Sequence, residues 1–164
     1  MATFDTPAFG PYTATYGAAD IGLIEGPHNL SSINHAVDRR AGRFGDSVVS
    51  GIYTGGDNFV QFVLKEWTAA VKSILYPWGT IGQSGVIGRA MEDLAAALVL
   101  TAIDGTPAKT NGPVTRTYPL AILVPEHNLE VLCGNVERNV PIVMRCYPAE
   151  VTPGSSNLQW FADT

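Results

Sequence analysis

The sequence predicts a mainly β protein, a β-sandwich or barrel of about eight strands with one flanking α-helix. Two observations predict this class. Eight short runs rich in β-branched and aromatic residues are separated by Gly, Pro, Asn or Asp, and only one segment has a clear helical period. The 164 residues suit a single domain. The strand-like runs cover residues 18–25, 29–37, 47–54, 58–65, 95–103, 116–124, 129–133 and 139–147.

Both ends of the chain are predicted to be arms around a central domain. Residues 1–16 contain Pro7, Gly10 and Pro11 among small residues, which is typical of an extended arm. Residues 149–164 are equally irregular but end in Trp160 and Phe161, and terminal aromatic residues usually dock on their own core or on a neighbouring subunit. The β-domain is therefore expected at 17–148.

The helix is predicted at residues 66–75. Trp67, Val71 and Leu75 recur at helical spacing, and Pro77 stops the pattern. The segment 87–97 stays ambiguous, because its apolar residues have helical spacing while the following run is typical of a strand.

Residues 45–66 predict a long hairpin with a tight turn at residues 55–58, Gly-Gly-Asp-Asn. Both faces of this hairpin are apolar. By alternation, Val60, Phe62 and Leu64 share one face, while Phe59, Gln61 and Val63 share the other and less hydrophobic one. Such a ribbon needs cover on both sides, so we predict an assembly element. Its residues are Val48, Ile52, Tyr53, Phe59, Gln61, Phe62, Val63 and Lys65.

A charged loop is predicted at residues 38–46. It holds three of the ten basic residues of the chain. One interpretation is a solvated turn. The other is a protruding inter-subunit loop, because guanidinium groups suit ion pairs at interfaces. Its candidate residues are Asp38, Arg39, Arg40 and Arg43.

The composition also favours assembly. Charged residues make up only 15% of the chain, which is few for the surface of a monomer that stays in solution alone. The formal net charge is −5 and no basic residue precedes Arg39, which argues against charge-driven binding to nucleic acid.

The N-terminus lacks a secretory pattern and no apolar run reaches membrane-helix length, so we expect a cytoplasmic product with no membrane partner. Cys133 and Cys146 are then more typical of buried thiols than of a disulfide.

No constellation of residues predicts an enzyme. The glycines of residues 79–88 recur every third residue, but they lack the lysine of a phosphate-binding loop and the spacing of a dinucleotide loop. His28, His35 and His127 are scattered without metal-ligand spacing. We therefore expect no catalytic, cofactor or metal site. A small β-rich enzyme or ligand-binding domain that uses the glycine loop remains as an alternative.

The order of elements resembles that of the bacteriophage tail tube proteins, also called major tail proteins. The resemblance covers residues 18–148. It is carried by Ile-Gly-Leu-Ile-Glu-Gly at 21–26, the charged loop at 38–46, Asp-Ser-Val-Val-Ser-Gly-Ile-Tyr-Thr-Gly at 46–55, and Val-Gln-Phe-Val-Leu-Lys-Glu at 60–66 before the helix. Closing runs follow at 98–102, 118–123 and 140–147.

What the resemblance implies is a non-enzymatic virion protein. Its subunits would form stacked hexameric rings, with inner strands joined into one shared barrel around a channel that DNA crosses without specific binding. The partners would be further copies of the chain and other tail proteins, assembled in the host cytoplasm and located in the virion tail. The alternative within this class is another virion protein on a similar scaffold, such as a tail terminator, a joining protein or a capsid decoration protein.

Overall fold

A computed structural model describes residues 11–44, 47–78, 87–103, 115–126, 139–150 and 158–163. The main strands are β1 (Tyr12–Tyr16), β2 (Ala19–Ala41), β3 (Ser47–Leu64), β4 (Ala96–Ala102), β5 (Thr115–Leu123) and β6 (Val140–Tyr147). Three two-residue strands follow: β7 (Ala149–Glu150), β8 (Leu158–Gln159) and β9 (Ala162–Asp163). The helix α1 spans Ala69–Leu75, and 3₁₀ turns lie at Gly42–Phe44 and Glu92–Leu94. The prediction of a mainly β fold with one α-helix is confirmed for the described residues.

Six strands close a ring of hydrogen bonds in the order β4, β1, β2, β3, β6, β5 and back to β4. All the pairings are antiparallel. Burial alternates along β1, the C-terminal half of β3, and β6. Because the buried side chains of these strands belong to one cluster, the inner face of the ring holds the core.

The helix packs onto this core through one face. Val71 and Leu75 on this face are buried in the core cluster, and so is Trp67, which directly precedes the capping residue Thr68. Thr68 caps the helix, because its hydroxyl accepts a hydrogen bond from the Val71 backbone N–H at 3.2 Å. The predicted helix is thus confirmed, with its start three residues later than expected.

The strand β1 corrects the predicted N-terminal arm. Tyr12, Ala14 and Tyr16 are buried between β4 and β2, so residues 12–16 belong to the sheet. A two-residue turn with positive φ at both Gly17 and Ala18 leads directly into β2. Residues 1–10 lie outside the described part of the chain.

The C-terminal residues 158–163 dock on their own protomer. The strand β9 pairs with Arg116 and Thr117 of β5, and Phe161 packs against the core. Cys146 on β6 is a free, buried thiol, and burial raises its pKa to about 12. Cys133 and the predicted strand at 129–133 lie outside the described residues.

The predicted hairpin at 45–66 is wrong in its topology. Residues 47–64 form one continuous strand, and its hairpin partner is β2 rather than its own second half. The chain reverses between Ala41 and Ser47, while the predicted turn at 55–58 lies within the strand. Likewise, the two predicted strands at 18–25 and 29–37 are parts of β2, with an irregular register between Glu25 and Asn29.

Candidate assembly surface

The hairpin of β2 and β3 extends beyond the rest of the sheet. The strand β3 pairs with β6 only from Asn58 to Leu64, and β2 pairs with β1 only up to Ile24. We call residues 32–41 and 47–57 the distal ribbon, since they pair with each other but with no other strand of the described residues. Among the described strands, both outer edges of the distal ribbon therefore have no neighbour.

The distal ribbon is exposed on both faces. Described side chains at 32–40 and 47–54 are all exposed, whereas Val60, Phe62 and Leu64 on the same strand β3 are at most 3% exposed. Among the described residues, nine large apolar side chains are exposed, and six of these belong to the distal ribbon. Those six are 51–58% exposed, namely Ile33, Val37, Val48, Val49, Ile52 and Tyr53. Exposed apolar groups gathered in this way are typical of an interaction surface.

The register assigns these side chains to two faces. Val37 pairs with Ile52, and this pair lies on the face that includes Phe59, Gln61 and Val63 nearer the body. Tyr53 pairs with Ala36, and Val48 with Arg40, on the face that continues the core side of the sheet. Each face of the distal ribbon thus carries apolar side chains that the protomer itself does not cover.

Two bulges shape the distal ribbon. His35 pairs with Gly55 and Ala36 with Tyr53, so Thr54 is an extra residue in β3. A second shift leaves Val49 extra between Ser50 and Val48. Gly55 has a φ of +122°, a conformation that L side chains rarely adopt. The glycines that we interpreted as a turn therefore form a bulge.

A close approach lies beside the first bulge, at Gly56. A Cβ on Gly56 would stand 2.9 Å from the Ile33 carbonyl oxygen and 3.4 Å from the Tyr53 hydroxyl. The exposed His35 Nε2 lies 3.0 Å from Asp57 Oδ2 on the opposite strand. The backbones of β2 and β3 are therefore close together at Gly56, and the His35–Asp57 contact links the two strands at the next residue.

The tip of the distal ribbon is basic. Arg39 and Arg40 follow each other in β2 and so point to opposite faces, while Arg43 lies on the 3₁₀ turn; all three are exposed. Asp38 pairs with Gly51 across the ribbon. The predicted loop at 38–46 is corrected by this arrangement, because residues 38–41 end a strand and the reversal begins at Gly42. Residues 45 and 46 lie outside the described part.

The predicted assembly residues divide into two groups. Val48, Ile52 and Tyr53 lie on the distal ribbon, whereas Phe59, Gln61, Phe62 and Val63 lie where β3 is inserted between β2 and β6. Phe62 belongs to the core, Phe59 carries the Arg145 guanidinium 5.3 Å from its ring centroid, and Lys65 Nζ pairs with Glu25 Oε1 at 3.1 Å.

Sequence reasoning missed the β2 side of the surface, Ile33 and Val37. The signal was available, because residues 29–37 were predicted as a strand. Their pairing with 47–57 was hidden by the assignment of residues 55–58 to a turn.

The described residues contain no group of three or more His, Cys, Asp or Glu that could hold a metal ion. His28 packs edge-on against Tyr12, with ring centroids 5.0 Å apart, and burial lowers its pKa. Most of the glycine loop at 79–88, and His127, lie outside the described residues. Within the described ranges, no helix is long and apolar enough to cross a membrane.

In comparisons with known proteins, no protein-family model matches the chain and no curated protein matches its sequence.

Proposed function

We propose that the protein is a structural subunit that assembles with copies of itself through the distal ribbon. The single observation that carries this proposal is the exposure of apolar side chains on both faces of that ribbon, between two open edges. An isolated two-stranded hairpin is at best marginally stable in water. Contact with neighbouring copies would cover the apolar faces and pair the edges.

The asymmetry of the protomer favours a ring or a tube. The ribbon lies at one side of the closed strand ring, and we propose that it contacts the body of a neighbour rather than that neighbour's ribbon. A contact between two different surfaces is heterologous, and it produces a closed ring or an open filament. Ring closure also removes strand edges that would otherwise promote aggregation.

Within this class, we propose the role of a tail tube subunit, on the resemblance of residues 18–148 to that family. Six copies at −5 each give a ring with a formal charge of −30. Negative charge facing a channel would repel DNA phosphates and let a genome pass without binding. Under this role the inner strands of six subunits would form a shared barrel.

The test is assembly of the purified protein, observed by negative-stain electron microscopy and sedimentation velocity over a range of concentrations. We expect rings that stack into tubes. Rings or trimers that never lengthen would instead favour the terminator, joining or decoration roles. A monodisperse monomer at high concentration would refute self-assembly.

A variant pair assigns the assembly to the distal ribbon. Val37→Asp with Ile52→Asp places two charges on one exposed face, where they leave the core intact but resist burial in an interface. We expect a folded monomer. The control is Ile103→Asp, which adds one charge at an exposed apolar residue outside the ribbon and should assemble like the unmodified chain; each single ribbon substitution is compared with it. Normal assembly of the ribbon variant would show that this face is not an interface.

A further inference from the structure

A shallow hollow lies on the outer side of β5 and β6. Met91, Val124, Pro125 and Tyr147 give it an apolar lining, and Glu126 and Arg145 reach it as polar groups. Its empty space is about 280 Å³, including space open to solvent. Because it is open to solvent rather than enclosed, the hollow suits a few side chains of a protein partner better than a small molecule, whose sites bury most of the ligand.

Acidic groups outnumber basic ones at the rim of the hollow, by which we mean the lining residues Glu126 and Arg145 and the residues within two positions of the lining residue Met91 in sequence. Glu92 and Asp93 directly follow Met91 on the 3₁₀ turn, and both are exposed, as is Glu126. Arg89, near Met91 in sequence, and Arg145 are the basic residues nearby in the described segments. The guanidinium of Arg145 is occupied with the Phe59 ring, 5.3 Å from its centroid.

We propose that this hollow receives the tip of the distal ribbon of a second copy of the chain. The tip has the opposite character to the rim, because Arg39 and Arg43 are exposed there and form no ion pair with any described residue. The exposed Val48 and Val49 beside them supply apolar groups for the lining. Charge opposition at the rim and apolar contact at the centre is the usual anatomy of a protein interface.

Geometry requires the tip to come from a neighbour. The ten residues 32–41 carry the tip roughly 30 Å beyond the body, at about 3.3 Å per residue. The hollow instead lies on the body, where Arg145 pairs with Phe59 close to the root of the ribbon. A paired two-stranded ribbon cannot fold back on its own root, but it can reach across an adjacent subunit.

This inference rests on the proposed self-assembly and deepens it by naming the two surfaces. Tip and hollow occupy different parts of the protomer, so each subunit offers one of each. The contact is therefore heterologous and can be repeated from one subunit to the next around a ring or along a tube.

Charge reversal tests the pairing directly. One chain carries Arg39→Glu and Arg43→Glu at the tip, and a second carries Glu92→Lys and Asp93→Lys at the rim. Each chain alone then opposes like charges, and we expect the concentration needed for assembly to rise by about tenfold or more. When the two chains are mixed, each tip meets a hollow of opposite charge, so co-assembly should recover. All four positions are exposed, and circular dichroism checks the fold of each variant.

Combining all four substitutions in one chain provides a second, single-component test, and assembly should again recover. Lys72→Glu on the exposed side of α1 controls for added negative charge and should assemble normally. If either reversed chain assembles like the unmodified protein, or if neither the mixture nor the combined variant recovers, the tip does not enter the hollow. Failure of the unmodified chain to assemble would refute the proposed function itself.

Discussion

Arg116 donates hydrogen bonds from Nε and Nη2 to both carboxylate oxygens of Asp163, with an Nη2–Oδ2 distance of 2.7 Å. The same guanidinium lies 5.1 Å from the ring centroid of Phe161. One side chain of β5 thus holds both an ion pair and an aromatic contact from the C-terminal residues. Hydrogen bonding to Asp163 also raises the pKa of Arg116, so its charge persists at any working pH.

Asp163→Asn should therefore loosen the C-terminal strand. A bidentate Arg–carboxylate pair at a partly exposed site is worth about 1 kcal/mol, and we expect a loss of that order in the free energy of unfolding. Urea denaturation measures it. Glu92→Gln removes the same charge at an exposed residue and should change stability little. Equal effects of the two variants would show that the pair contributes nothing specific.

Ala18→Gly should stabilise the protein. Ala18 has a φ of +69° in the turn between β1 and β2, and its Cβ makes this conformation costly by about 1 kcal/mol. Glycine removes that strain, although it adds some entropy to the unfolded chain. Thermal and urea denaturation should show a gain of a few tenths to about 1 kcal/mol. Ala36→Gly, on an exposed strand position with no such strain, should instead lower or preserve stability.

Gly56→Ala should distort the distal ribbon without unfolding the core. The added Cβ would meet the Ile33 carbonyl oxygen at 2.9 Å, a distance that real Cβ atoms essentially never show. We expect assembly to weaken while the circular dichroism of the monomer stays close to normal. Gly51→Ala on the same strand is the matched control, because its added Cβ would lie 3.8 Å from Asp38 Oδ1, an ordinary contact distance. Unimpaired assembly of the Gly56 variant would mean that the bulge geometry is not needed.

Alkaline pH should destabilise the fold between about pH 10 and 12. Burial raises the pKa of both Tyr16 and Tyr118 to about 12, from 10.0 in the unfolded chain. The folded state holds these protons more tightly than the unfolded chain does. The contribution of the two tyrosines to the free energy of unfolding is therefore complete below pH 10 and is lost as the pH rises through 12. Tyr118→Phe should flatten this part of the stability profile, measured by urea denaturation at each pH. If the free energy of unfolding of Tyr118→Phe falls with pH as steeply as that of the unmodified chain, the alkaline destabilisation comes from other groups.

Local patterns were sufficient for the fold class, the helix and most strand positions. The spacing of Trp67, Val71 and Leu75 predicted one helix face that the structure buries in the core. Alternation along residues 58–64 predicted correctly which side chains of β3 share a face. These features depend on periods of two and four residues, which the sequence displays directly.

The pairing of the long ribbon could not be predicted in the same way. Glycine with Asp or Asn marks both turns and bulges, and the stretches at 42–46 and 55–58 each contain two glycines and an Asp. Only the long-range register with β2 decides between them, because it places Gly55 opposite His35. The strand β1 was a different case. Its Tyr-Thr-Ala-Thr-Tyr sequence alternates as a strand does, but the nearby prolines and glycine led us to predict an extended arm instead.

The strand β3 forms one of the two strands of the distal ribbon and continues into the body, where it lies between β2 and β6. Its last seven residues, Asn58 to Leu64, are paired with β6. Any pull that a neighbouring subunit exerts along the ribbon would reach this ladder parallel to the strands, across hydrogen bonds that lie perpendicular to them. Such a load would be shared by all the bonds together instead of opening them one by one, so under the proposed assembly this pairing would resist tension where the ribbon joins the body.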